Sequence, residues 1–124
     1  DWQLALIREV CESKVPKVFQ NGMYDRYFLR SLYSIDVRNH TFDTILAWHC
    51  LQPELAGKAL DKRKGAYSRR TVKSLAFLAS VYTRDSQWKN YNFEDEMQRY
   101  TLCGRDCCIT LEIAKVMEKQ LVAA

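Results

Sequence analysis

Two aspartates offer this sequence its most distinctive chemistry, Asp25 in KVFQNGMYDRYFL and Asp106 in LCGRDCCITLEI. In the first stretch an Asn, a Tyr and an Asp fall as N-x-x-Y-D. They sit where an apolar, β-branched run from Val15 to Phe19 gives way to a helical stripe of Tyr24, Phe28, Leu29 and Leu32. A polar cluster at the carboxyl end of a strand is where open α/β sheets bind ligands. In the second stretch Ile109, Ile113, Val116 and Met117 form an inward stripe, and Asp106 lies three residues before Ile109, on or beside that face. A carboxylate so placed is costly unless it is paired or holds a cation. Taken singly, each Asp also reads as a helix-end charge or as the partner of a neighbouring Arg, Arg26 or Arg105.

The elements that must position them alternate. A helix over 2–13 leads to a strand over 15–20, a helix over 23–34 and a strand-like stretch over 35–41. A further helix runs from Asp43 to Leu51, with Asp43 or Thr44 at its start. VKSLAFLASVYT carries another helical stripe, and the last element spans 94–121 with a possible break at Gly104. Helix–strand alternation predicts an α/β fold with parallel strands. Two strands alone give little apolar face and two bare edges, so more strands are wanted at the amino end.

A chain of 124 residues is one domain, and its 48% hydrophobic and 27% charged content is ordinary for a globular protein. No apolar run reaches the roughly 20 residues of a membrane span, so no membrane partner is expected. The opening DWQLALIREVCES is a helix already under way without an initiator Met, and it reads as a piece cut from a longer protein. Five cysteines (Cys11, Cys50, Cys103, Cys107 and Cys108) without a secretory leader suit reduced thiols in a cytoplasmic setting. Cys103 and Cys107 lie one turn apart and His49 precedes Cys50, which raises zinc. The pattern lacks a paired C-x-x-C, however, and packed free thiols are the expectation.

The net charge of +4 is unevenly spread. GKALDKRKGAYSRRTVK (57–73) sets Lys58, Lys62, Arg63, Lys64, Arg69, Arg70 and Lys73 against Asp61 alone. With two glycines and no apolar period, it reads as a mobile basic loop, either a solvated surface or a polyanion contact.

KVFQNGMYDRYFL resembles the second exonuclease motif of family A DNA polymerases, the bacterial polymerase I and phage polymerase group. FDTILAWHCLQPE, SLAFLASVYT and RDCCITLEI resemble, in the same order, the 3′–5′ proofreading domain of that family. The likeness runs from Lys17 to about Ile113, with the basic loop as an insertion. It implies a ribonuclease H-like α/β fold, here partial and without its first strands. In that domain four carboxylates bind two Mg²⁺ or Mn²⁺ ions, which activate a water and steady the leaving oxygen at a DNA 3′ end. Carried over by position, Asp25 and Asp106 are two of those metal-binding, catalytic carboxylates. Gln20, Asn21 and Tyr24 face the terminal nucleotides of a single strand; Arg69, Arg70 and Lys73, in the insertion, are expected to add to the DNA contact on the polyanion reading of that loop. Asp43 matches a recurrent residue that is not a metal ligand and reads as a helix cap. The implied partners are a single-stranded 3′ end and a polymerase domain in the same parent chain, in the cytoplasm of a bacterium or phage-infected cell.

Two features depart from that pattern. The opening Asp-x-Glu on the first strand is absent, since no strand surrounds Asp1, so the chain by itself is expected to be inactive. The family's Tyr four residues before the third-motif Asp is Leu102 here, and Tyr100, six residues before Asp106, lies about 120° away around a helix. A slow or inactive parent exonuclease follows. The alternative is a degenerate exonuclease-like domain that binds DNA or braces a polymerase, and a third reading is an unrelated α/β interaction module. Replacing Arg69 and Arg70 by Gln is expected to weaken single-stranded DNA binding and flatten its salt dependence, because phosphate contacts release counterions. Fluorescence anisotropy across a salt series measures this, and an unaltered slope returns the segment to solvent-facing charge.

Overall fold

Helix α1 (Trp2–Glu12) opens the chain, its first turn capped by the Asp1 carboxylate, which accepts from the Gln3 N–H at 3.0 Å. The computed structural model describes residues 1–55, 59–61, 66–68, 74–84 and 94–124. Strand β1 (Lys17–Phe19), helix α2 (Gly22–Tyr33), strand β2 (His40–Asp43) and helix α3 (Thr44–Leu51) follow. After a 3-10 turn at Pro53–Leu55 come strands β3 (Ala59–Asp61) and β4 (Ala66–Ser68), then helices α4 (Leu75–Tyr82) and α5 (Glu96–Ala123). The chain is mixed α/β. Part of the segment expected to be an unstructured basic loop is instead an antiparallel β3–β4 ladder, with Leu60 opposite Tyr67.

Strands β1 and β2 pair in parallel, joined by α2, with Val18 opposite Phe42, Phe19 opposite Asp43 and a bulge after Lys17. Pairing begins at Lys17, whose N–H donates to the Asn39 carbonyl at 2.9 Å. Pro16, which has no N–H to give, stays outside the ladder. The strand expected over 35–41 starts only at His40. Before it, Ser34 takes a left-handed φ of 54°. The Ser34 N–H then closes α2 on the Arg30 carbonyl as in an αL cap, and the Ile35 N–H donates to the Leu29 carbonyl, each at 3.1 Å. Ile35 and Val37 are buried all the same, which explains their strand-like pattern.

The βα joint turns on Asp43. Its carboxylate is buried and accepts from the N–H groups of Asn21 (3.0 Å) and Gly22 (2.6 Å) at the start of α2, and of Ile45 (3.0 Å) at the start of α3. Asn21, at the N-cap position of α2, makes no side-chain cap bond of its own and sits at a φ of 62°. Gly22 is required by crowding, since a Cβ there would lie 2.6 Å from Phe19 Cβ and 2.7 Å from His40 Cε1.

The core joins α3, α4 and α5. Trp48 meets the rings of Phe77 and Tyr82 edge-on at 5.9 and 6.0 Å, while Leu78, Ile113 and Met117 are fully buried. Helix α4 is capped by Ser74, which accepts from the Phe77 N–H, and α5 by Asp95. The expected break near Gly104 does not occur. Helix α5 runs through it, and a Cβ at that position would meet nothing within 4 Å.

Asp43→Ala strands three buried or half-buried amide donors, and each such loss costs about 1–3 kcal/mol. Urea unfolding of the variant is expected to show a loss of about 3 kcal/mol or more. A loss below about 1 kcal/mol would remove Asp43 from the centre of the fold.

Candidate functional site

A cavity of about 910 Å³ opens between β1 and α5, and its wall includes Gln20, Asp25, Arg99, Leu102 and Asp106. Strand β1 delivers Gln20 at its carboxyl end, the first turn of α2 delivers Asp25, and the middle of α5 delivers Asp106. The two aspartates therefore share one cavity although they are far apart in the chain. Val18, Phe19, Leu75 and Leu111 make the rest of the wall largely apolar. Gln20 is oriented from β2–α3, because the Thr44 hydroxyl donates to its Oε1.

Burial, and behind it the negative charge of Asp43, pushes the Asp25 carboxyl above its ordinary value. The N–H of its own residue acts in the opposite sense. Residue Asp25 is exposed as a whole, so the effect belongs to the carboxyl end facing the cavity. Among the described residues it forms no ion pair, and the expected alternative of an Arg26 partner does not apply. Asp106 is half-buried on α5, and its carbonyl accepts from the Thr110 hydroxyl at 2.7 Å.

The other anticipated residues are placed differently. Asn21 contributes its backbone to the Asp43 joint, and it does not line the cavity. Tyr24 also lies outside the cavity; its ring packs on Phe28 at a centroid distance of 4.6 Å, and it is 61% exposed. The stripe of Tyr24, Phe28 and Leu32 thus faces outward, whereas its period suggested burial. Arg69, Arg70 and Lys73 lie outside the described residues. Leu102 is buried in the cavity wall, and Tyr100 points elsewhere, donating its hydroxyl to Glu96 Oε1 at 2.6 Å.

Arg99, Cys103 and Cys107 were not foreseen as cavity residues. They succeed one another at one-turn spacing along α5, in a row beside Asp106, which the sequence did contain. The cysteines were expected to be packed inside, yet Cys50, Cys103, Cys107 and Cys108 are exposed. Burial of its sulfur, and then the neighbouring Cys103, push the Cys107 thiol up.

Among the described residues no three His, Cys, Asp or Glu side chains gather as metal ligands. Two carboxylates lining one cavity can still serve a hard cation, since Mg²⁺ keeps several waters and binds through one or two carboxylates plus substrate phosphates. Among the same residues no helix is long and apolar enough to cross a membrane. No protein-family model, curated protein or solved structure matches the chain.

A carboxyl raised in the folded state makes the native protein the better proton binder. Stability is then lost as pH rises from the unfolded value near 3.8 through the folded one. Asp25→Asn is expected to raise Tm at pH 7, with the difference from the parent chain shrinking as pH falls toward 3.8. A Tm lowered at pH 7 by this change contradicts the assigned strain.

Proposed function

We propose that the chain is part of the 3′–5′ exonuclease domain of a family A DNA polymerase, a ribonuclease H-like domain acting on single-stranded DNA 3′ ends. The observation that carries this reading is the single cavity lined by Gln20, Asp25 and Asp106. These residues stand at the motif positions where the resemblance puts a substrate contact and two metal carboxylates.

In this reading Asp25 and Asp106 would hold Mg²⁺ or Mn²⁺, which would supply activation of a water and stabilisation of the leaving oxygen. The raised Asp25 carboxyl suits a group that gains from a nearby cation. Gln20, fixed by Thr44, presents its side chain to the terminal nucleotide, and Arg99 supplies positive charge to a phosphate entering the same cavity. The apolar wall of Leu102, Leu75 and Leu111 offers the bases a dry surface without sequence preference. The two remaining carboxylates come from an Asp-x-Glu strand beyond these residues. The polymerase domain of the parent chain is the partner.

Leu102 favours a second reading. An apolar residue packed where the family uses a Tyr hydroxyl to orient water suits a domain that keeps DNA binding or a bracing role and has lost its rate.

Incubated with a 5′-labelled single-stranded oligonucleotide, the 124-residue chain is expected to leave it intact. A parent chain supplying the Asp-x-Glu strand is expected to shorten it only when Mg²⁺ or Mn²⁺ is present, and Asp106→Asn to slow it by orders of magnitude. Metal-independent trimming contradicts the proposal. In the same assay Leu102→Tyr raises the rate if the missing hydroxyl limits it; an unchanged, negligible rate favours the bracing role.

A further inference from the structure

The α5 wall that carries Asp106 also carries two ligand atoms of another kind. Cys103 and Cys107 lie one turn apart on α5, both are exposed, and both line the cavity. Side chains four residues apart on a helix are neighbours, so the two thiols are within reach of one shared ion without any change of backbone. Arg99 continues the same row one turn earlier and lines the same wall.

Sulfur ligands are soft and select copper(I)-like ions, whereas carboxylates suit Mg²⁺, Ca²⁺ and Mn²⁺. Zinc is the poorer occupant, because a structural zinc site takes four ligands and no third Cys, His, Asp or Glu completes a cluster among the described residues. Two neighbouring sulfurs alone match an ion content with two-fold coordination.

We propose that Cys103 and Cys107 form a two-coordinate site for a soft monovalent d¹⁰ cation, with copper(I) the natural occupant. Each thiol releases its proton as its sulfur binds the ion, so two protons leave for one cation and the site gains one negative charge. The Arg99 guanidinium on that wall offsets it. The hard-donor aspartates and the soft-donor thiols thus divide one cavity between two classes of metal, and filling the soft site crowds Asp106. This inference stands apart from the exonuclease reading, since it needs neither Asp25 nor DNA.

Silver(I) serves as the probe. The reduced 124-residue chain is titrated with it in excess imidazole and read by native mass spectrometry. One retained equivalent is expected. Cys103→Ser and Cys107→Ser should each weaken retention by more than the roughly 10–100-fold that loss of an outer-shell partner costs. Cys50→Ser, Cys108→Ser and Asp25→Asn should leave it unchanged, the last separating this site from the carboxylates. If a Ser variant loses its helical circular dichroism, Ala at the same position replaces it. Silver retained by the Cys103→Ser, Cys107→Ser double variant, or lost on Cys108→Ser, overturns the assignment.

Discussion

The Asp43 carboxylate joins a strand end to the starts of two helices. It leaves β2, reaches across the parallel pair, and accepts from amides that open α2 as well as from its own helix α3. Helix starts expose unpaired N–H groups and carry positive partial charge, so one buried anion satisfies several needs at once. The arrangement demands close approach, and Gly22 supplies it where any side chain would strike Phe19 or His40. It also fixes how α2 leaves the sheet, and hence where the first turn of that helix can point.

The candidate site inherits this constraint. Asp25 faces the cavity because α2 begins where Asp43 holds it, and the same anion raises the free energy of an ionised Asp25. A second negative charge close to a partly desolvated carboxylate is unfavourable in the absence of a cation, which is a common electrostatic signature of functional sites. Opposite it, α5 is long and uninterrupted, anchored through Ile109, Ile113 and Met117 to α3 and α4. One carboxylate is therefore set by a capping network and the other by a packed core, two independent supports for one cavity.

Much of this was legible in the sequence because local periodicity and capping chemistry are local. The five long helical segments, the strand before N-x-x-Y-D and the cap at Asp43 all follow from residue type and spacing. The reach of Asp43 to Asn21 and Gly22 was not legible, because it exists only once β1 and β2 pair. Period also tells which residues share a face and not what lies opposite. Tyr24, Phe28 and Leu32 line up on α2 yet look outward, and Cys103 and Cys107 line up on α5 yet border a cavity. Ile35 and Val37 imitate a strand, being buried beside the left-handed end of α2 without joining a ladder.

The attachment of α1 has a separate consequence. It buries none of its residues, and Trp2, Leu6 and Val10 on one face remain more than half exposed. What holds it is a set of polar latches: Arg8 on the Tyr33 and Ser34 carbonyls, Asn39 on Lys14, and the Lys17 ammonium among oxygens of Ser13, Val15 and Arg38. Hydrogen bonds near water are individually modest, whereas the α3–α5 interior resists opening through apolar contact. The protein is thus built with an order of disassembly: the leading helix can peel away while the three-helix interior stays shut, and deuterium would enter its amides first.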